Sequence, residues 1–190
     1  MDIRQAIENS VAVKKHILND HTLIGTIEKA AEEIIKAYKN GGKVLFCGNG
    51  GSAADAQHLA AELSGRYYYD RDPLSAEALH VNTSYLTAVA NDYGYDEVYS
   101  RLVKGIGKKG DILVGLSTSG NSTNVIKAFE MAASLGMITI GLTGSTGGKM
   151  RNICSCLINI PSEDTPRIQE SHIMIGHIIC EIVESKLFPK

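Results

Sequence analysis

The chain has 190 residues, of which 44% are hydrophobic and 21% are charged, and its 19 basic and 21 acidic side chains nearly cancel. This balance gives no electrostatic reason to expect a nucleic-acid or anionic-membrane partner. No apolar stretch approaches the roughly 18 residues that span a bilayer. The length suits one sizeable core, and the N-terminus lacks the pattern of a signal peptide, so we expect a cytoplasmic protein.

The chain then alternates between predicted helices and strands. Helical spacing of apolar residues predicts helices at residues 2–17, 22–39, 52–64, 84–90, 95–106, 122–135 and 166–187. Short apolar runs predict strands at residues 43–47, 76–81, 111–117, 137–144 and 156–161. Such alternation is typical of an α/β protein in which helices cover both faces of a parallel sheet. Ligands of such sheets bind at the carboxyl ends of the strands.

Two loops of similar composition each follow a buried strand and each open a helix. They are "CGNGGSAA" (47–54) and "LSTSGNSTN" (116–124). Backbone N–H groups at a helix N-terminus attract an anion, and the second loop adds the hydroxyl groups of Ser117, Thr118, Ser119 and Ser122. Neither loop contains Lys or Arg. We interpret the pair as a site for one phosphate monoester.

Two other nucleotide-binding patterns fit less well. Gly48, Gly50 and Ala53 satisfy the loose G-x-G-x-x-A fingerprint. However, the region in which a second strand should end in an acid is "RYYYDRD", which is typical of a loop. The stretch "GSTGGKM" (144–150) fails as a P-loop, because Thr143 replaces the first glycine and Met150 replaces the Ser/Thr.

Four side chains that can transfer protons stand out. His58 and Glu62 are four residues apart and share one face of the predicted third helix, beside Asp55. By spacing alone such a face is more often solvent-exposed than a site, but its place just behind the first anion loop favours a function. His172 and His177 lie in the apolar last helix, where a histidine is usually part of the core, but Gly176 leaves room beside His177 for another backbone or a ligand.

Five stretches together resemble the sugar isomerase (SIS) domain family, and within it the bacterial phosphoheptose isomerases. The stretches are residues 41–66, 90–94, 110–128, 142–150 and 165–179, which occur in the expected order over nearly the whole chain. The resemblance implies a single SIS domain over 1–190, with a helical oligomerisation segment at 1–40 and an α/β core at 41–190. It implies an α/β/α sandwich around a central five-stranded parallel sheet, as in flavodoxin-like folds.

The resemblance also implies an activity and an assembly. The expected reaction converts D-sedoheptulose 7-phosphate to D-glycero-D-manno-heptose 7-phosphate, the first step towards nucleotide-activated heptose. The family is usually homotetrameric, with active sites between subunits, and uses no nucleotide cofactor.

The positions that match the family's functional residues form three groups. The catalytic pair is Glu62 and His177. The substrate contacts are Asn49, Gly50, Gly51, Ser52, Asn91, Asp92, Ser117, Thr118, Ser119, Ser122 and Gln169. The zinc ligands, for one Zn²⁺ per subunit, are His58, Glu62, Gln169 and His177.

Two chemical accounts use the same side chains. An aldose–ketose isomerisation needs a base at the C1/C2 proton and an acid at the carbonyl oxygen, for which Glu62 and His177 are suitable. A zinc ion would instead polarise the carbonyl as a Lewis acid. The accounts compete, because a metal-bound carboxylate is a poor base, and Gln is an uncommon zinc ligand.

The spacing of Gln169 and His177 predicts a shared site. Eight residues cover about 12 Å along an unbroken helix, which is too far for two side chains to meet easily at one ion. Either the last helix begins after Gln169, or the two residues come from different subunits, and we predict an intersubunit site.

A non-catalytic relative is the main alternative. The SIS adaptor that binds the replication initiator DnaA has similar stretches in "SAADAQHLAA", "DEVYSRLV" and "LFPK". That adaptor lacks the acid and base at the positions of Glu62 and His177, which are both present here, so an enzyme is favoured. A sugar-phosphate sensor would need a DNA-binding domain, for which the chain leaves no room.

Overall fold

Five parallel strands form the centre of the computed structural model, which describes residues 2–190. Their order across the sheet is β2-β1-β3-β4-β5, and every neighbouring pair is parallel. The strands are β1 (Val44–Gly48), β2 (Ala76–Ala78), β3 (Ile112–Leu116), β4 (Ile138–Thr143) and β5 (Cys156–Asn159).

Seven α-helices surround this sheet in the described part of the chain. They are α1 (Ile3–Asn19), α2 (His21–Lys39), α3 (Gly51–Ser64), α4 (Thr83–Tyr93), α5 (Val98–Ile106), α6 (Thr123–Ser134) and α7 (Thr165–Leu187), with short 3₁₀ turns at Tyr95–Glu97 and Gly148–Asn152. None of the helices within residues 2–190 combines the length and the apolar character needed to cross a membrane.

Two apolar cores lie on opposite faces of the sheet. Residues of α2, α3 and α7, such as Ile34, Leu59 and Ile175, pack on one face. Residues of α5 and α6, such as Val103 and Phe129, pack on the other. The predicted α/β/α sandwich with a five-stranded parallel sheet is therefore confirmed.

Every predicted element is present, but α4 runs three residues beyond the expected end, to Tyr93, and the second strand is shorter than expected. The expected strand over 76–81 ends at Ala78. As an edge strand, β2 pairs only with β1. The Leu79 N–H still donates to the Phe46 carbonyl, but the Val81 N–H turns back to the Ala78 carbonyl. The apolar run therefore continues beyond the strand.

The close approach of α3 to α7 depends on Gly176. A Cβ atom at this position would lie 2.5 Å from both terminal methyl carbons of Leu59, which is 2% exposed. The missing side chain therefore allows the two helices to pack together at the level of His177.

We expect Gly176→Ala to lower the free energy of unfolding. Overpacking typically costs about 1–3 kcal/mol, which exceeds the roughly 0.5–1 kcal/mol that alanine adds to a helix interior. The control is Gly105→Ala in α5, where a Cβ would meet nothing within 4 Å. Urea denaturation measures both variants, and a Gly176→Ala protein as stable as Gly105→Ala would contradict this packing account.

Candidate active site

The two predicted anion loops, the glycine-rich loop at 47–54 and the hydroxyl-rich loop at 116–124, lie side by side at the carboxyl edge of the sheet. They follow the adjacent strands β1 and β3, whose last residues, Gly48 and Leu116, are register partners. The loops lead into α3 and α6, so both helix N-termini reach the same edge. Gly50, before α3, has a φ of 56° and a ψ of −124°, a conformation that favours glycine.

Hydrogen bonds join the two loops to each other and anchor the first loop to α5. Asn49 Nδ2 donates to Asn124 Oδ1 and Asn124 Nδ2 donates to Asn49 Oδ1, each at 2.9 Å. The Tyr99 hydroxyl donates to the Gly48 carbonyl, and both Tyr99 and Asn124 are buried. The Asn49 side chain thus has a protein partner for one N–H and one lone pair, and Asn49 remains a predicted substrate contact.

Asn124 is a site residue that the sequence reasoning missed. It closes the second loop in "LSTSGNSTN", directly after the hydroxyl groups that drew attention. A polar residue only 3% exposed at the start of a helix has to find a partner. Its sequence signal is weak, because Asn is also common in turns that bind nothing.

The predicted phosphate contacts differ in exposure. Ser52 and Ser117 are buried, Thr118 and Ser122 are half-buried, and Ser119 is exposed. The Ser117 and Ser122 hydroxyl oxygens lie 3.0 Å apart. A cavity of about 260 Å³ adjoins this loop and is lined by ten residues, which include Thr118, Ser119, Asn121, Ser145 and Thr146.

Asn91 and Asp92 occupy the exposed surface of α4. Asn91 Nδ2 donates to Asp92 Oδ1 at 2.9 Å, so the two side chains contact each other. Both residues remain predicted substrate contacts.

His58, Glu62 and His177 converge on one point at the α3–α7 contact. His58 Nε2 lies 3.1 Å from Glu62 Oε1 and 3.0 Å from His177 Nε2. One potential ligand atom from each of the three residues lies within 4.8 Å of the others. One ring nitrogen carries at most one proton and cannot donate fully to both neighbours. The arrangement therefore suits a shared proton or a cation between the three groups.

The donor set fits zinc. Two imidazoles and one carboxylate form a ligand combination found in catalytic zinc sites, which keep a fourth position open. The side chain of His58 is 52% exposed, and that of Glu62 is 23% exposed. The cluster is therefore accessible from outside the chain.

Gln169 lies away from this cluster within one chain. A Cβ atom built on Gly51 would lie 2.7 Å from Gln169 Nε2, so the amide packs on the first residue of α3. His58 is seven residues further along α3, about 10 Å along the axis. The helix α7 begins at Thr165 and continues unbroken past His177. The alternative of a helix that begins after Gln169 is therefore wrong.

Burial shifts the pKa of one side chain on α3 and of one on α7. Partial burial raises the pKa of Asp55 above its ordinary value of 3.8, against the opposing effect of the His58 and His177 rings. His172 is fully buried in the core, which lowers its pKa to about 4 although its contact with the Thr143 carbonyl acts in the opposite direction. His172 is therefore a neutral core histidine, as its apolar surroundings in the sequence suggested.

The fold and the site together define a protein of the SIS class, and comparisons with known proteins agree. Residues 7–144 match the profile described as SIS domain. The chain is 53% identical over 186 residues to the phosphoheptose isomerase of Aneurinibacillus thermoaerophilus, which covers 98% of this chain and 94% of that protein. It is 53% identical over 188 residues to phosphoheptose isomerase 2 of Campylobacter jejuni, which covers 99% and 94%.

A solved structure gives the same result. The phosphoheptose isomerase of Neisseria gonorrhoeae superposes with a TM-score of 0.90 at 44% identity, over 96% of this chain and 97% of that chain. The chain belongs to the SIS domain family, and within it to the phosphoheptose isomerases. These relatives do not favour the adaptor alternative.

Proposed function

We propose that this protein isomerises D-sedoheptulose 7-phosphate to D-glycero-D-manno-heptose 7-phosphate, the first step towards nucleotide-activated heptose. The observation that carries the proposal is the cluster of the Glu62 carboxylate with the His58 and His177 imidazoles, on and beside the helix that the glycine-rich loop opens. Phosphorylated sugars are too highly charged to cross a bilayer, so we place the reaction in the cytoplasm.

The two loops would hold the phosphate. The N-termini of α3 and α6 supply backbone N–H groups and a favourable dipole. The hydroxyl groups of Ser52, Ser117, Thr118, Ser119 and Ser122 complete the set of donors. The reciprocal Asn49–Asn124 hydrogen bonds keep the loops at a fixed separation.

Glu62 and His177 would transfer the protons. Starting from the ketose, Glu62 removes a proton from C1 while His177 protonates the C2 oxygen, which gives an enediol. Glu62 then returns its proton to C2 while the C1 hydroxyl loses a proton to His177, which leaves the aldehyde at C1. Each positioned acid or base contributes roughly 10²- to 10⁴-fold to the rate.

The same cluster is a proposed zinc site, one per subunit. His58, Glu62 and His177 would hold the ion, and Gln169 of a second subunit would add a fourth ligand. Bound zinc would supply Lewis-acid polarisation of the sugar carbonyl. Glu62 would then be a zinc ligand as well as the proposed base. Because a metal-bound carboxylate is a poor base, the metal content of the active protein decides between the two roles.

A homo-oligomer, a tetramer by family resemblance, is proposed for two reasons. Large apolar side chains are exposed on α1 and α7, where Ile3 is 80% exposed, Leu18 69% and Ile178 40%. Within one chain, Gln169 packs at the start of α3, whereas the His58–Glu62–His177 cluster lies further along the same helix. We propose that the cluster of one subunit faces the loops and Gln169 of another.

We expect Glu62→Gln to slow proton exchange at the substrate strongly. In deuterated water the wild-type protein should incorporate label at C2 of the product, and the variant should do so at least about a hundredfold more slowly, the scale of general-base catalysis. Glu130→Gln, an exposed carboxylate on α6, is the control. Mass spectrometry measures the label, and equal incorporation by Glu62→Gln would refute the role of Glu62.

We expect the metal-free protein to bind Zn²⁺ through the cluster. Loss of one ligand in His58→Ala should weaken binding by more than about tenfold, since even residues behind metal ligands contribute that much. His21→Ala changes an exposed histidine in α2 and is the control. Isothermal titration calorimetry gives the affinities, and equal affinity of wild type and His58→Ala would exclude this zinc site.

Mixed oligomers test the shared site. If a cluster serves the loops of another subunit, inactive Glu62→Gln subunits mixed with inactive Ser119→Ala/Ser122→Ala subunits should recover activity, because some sites then combine an intact cluster with intact loops. A mixture of Glu62→Gln with His177→Ala should remain inactive, because these two residues belong to one cluster in one chain. With subunit exchange confirmed by mass spectrometry, no recovery in the first mixture, or recovery in the second, would contradict the arrangement.

A further inference from the structure

A buried ion pair holds the irregular segment that follows α3. Arg71 Nε lies 3.1 Å from Glu184 Oε1, and the two side chains are only 2% and 1% exposed. Arg71 belongs to the segment at residues 65–75, and Glu184 lies near the end of α7. Burial by itself would raise the pKa of Glu184, but hydrogen bonds from the Tyr68 and Tyr67 N–H groups and from Arg71 outweigh it and hold the pKa below its ordinary value.

Arg71 also caps the end of α3. Its Nη1 donates to the Leu63 carbonyl at 2.8 Å and to the Gly65 carbonyl at 3.0 Å, and its Nη2 donates to the Glu62 carbonyl at 2.9 Å. Carbonyls in the last turn of a helix have no partner within the helix. The guanidinium therefore fixes the turn that carries the Glu62 side chain.

Glu184 binds the backbone of the residue that packs beside His177. Its Oε1 accepts the Tyr67 N–H at 2.9 Å and its Oε2 accepts the Tyr68 N–H at 2.8 Å. These bonds hold the Tyr67 ring against His177, with 5.9 Å between the ring centroids. One ion pair thus contacts both the backbone of Glu62 and the residue that borders His177.

We infer that the Arg71–Glu184 ion pair positions Glu62 and His177 for proton transfer, with Tyr67 as the contact to the imidazole. This inference depends on the proposed isomerase activity. A buried ion pair adds little stability compared with apolar residues of the same size, so stability alone does not account for it. The ion pair matters because it fixes the positions of reacting groups, and a displacement of about 1 Å at such a group can cost about a hundredfold in rate.

A buried carboxylate at the amino ends of the strands offers a matched control. Asp111 is 3% exposed, accepts the Lys43 and Lys108 N–H groups at 3.0 and 2.9 Å, and contacts Lys43 Nζ at 2.7 Å. Like Glu184, it is a buried carboxylate with one cation and two backbone donors. It precedes β3, at the edge opposite the loops, and does not contact the cluster.

The test compares Glu184→Gln, Arg71→Lys and Asp111→Asn in the full-length protein. Lysine keeps the charge but loses the planar fork that reaches several carbonyls. For sedoheptulose 7-phosphate we expect kcat per folded molecule to fall about 10- to 100-fold in the first two variants, with KM little changed. Asp111→Asn should lose stability but keep its kcat. Folded variants of Arg71 and Glu184 with wild-type kcat would overturn the inference.

Two further measurements separate this inference from the proposed activity. Tyr67→Leu keeps the backbone contact to Glu184 and removes only the ring beside His177, so it should fold and still lower kcat; an unchanged kcat would count against the contact. If the wild-type protein shows no turnover, the proposed activity fails, and a crystal structure of Arg71→Lys then decides. Displacement of Glu62 or of the Tyr67 ring would support positioning, and an unchanged cluster would refute it.

Discussion

The contact between α3 and α7 is the constraint on which the site depends. Because residue 176 has no side chain, Leu59 can pack directly on the backbone of α7. That approach brings ligand atoms of His58 and Glu62 on one helix within 4.8 Å of a ring nitrogen of His177 on the other. A carboxylate and two imidazoles would otherwise lie on separate helix surfaces. The meeting of these three side chains therefore depends on how closely the two helices pack.

The sheet supplies the second half of the arrangement. Adjacent parallel strands end at one edge, so the turns after β1 and β3 meet there. The Asn49–Asn124 amide pair and the Tyr99 hydroxyl hold the turns in place in the absence of a ligand. A site that is already ordered does not have to be ordered by its ligand.

Much of the fold could be predicted because local patterns dominate it. Apolar runs such as "KVLFC" identify buried strands, and glycine after α2 marks the helix end. The end of β2 could not be predicted, since hydrogen bonding at an edge, and not apolar character, decides where it stops. Among the site residues, the spacing of His58 and Glu62 indicated a common face, but their meeting with His177 is a contact between helices that periodicity does not encode.

The long-range polar contacts were the hardest to anticipate. Arg71 and Glu184 are 113 residues apart, and "RYYYDRD" indicates only a loop. Whether Arg71 of that stretch is solvated or buried depends on an acid near the end of the last helix. The hydrogen bonds between Asn49 and Asn124 join two loops 75 residues apart, and no pattern in the sequence indicated them; Asn49 itself stays a predicted substrate contact.

The composition of the two loops has a consequence for the direction of the reaction. The phosphoryl group is the same in ketose and aldose, so donors that bind it stabilise both sugars to the same extent. Such binding would concentrate and align the substrate but would favour neither sugar in the bound state, and a catalyst leaves the ratio of the free sugars at equilibrium unaltered. Net flow through this protein is then determined by whichever sugar its neighbours in metabolism remove.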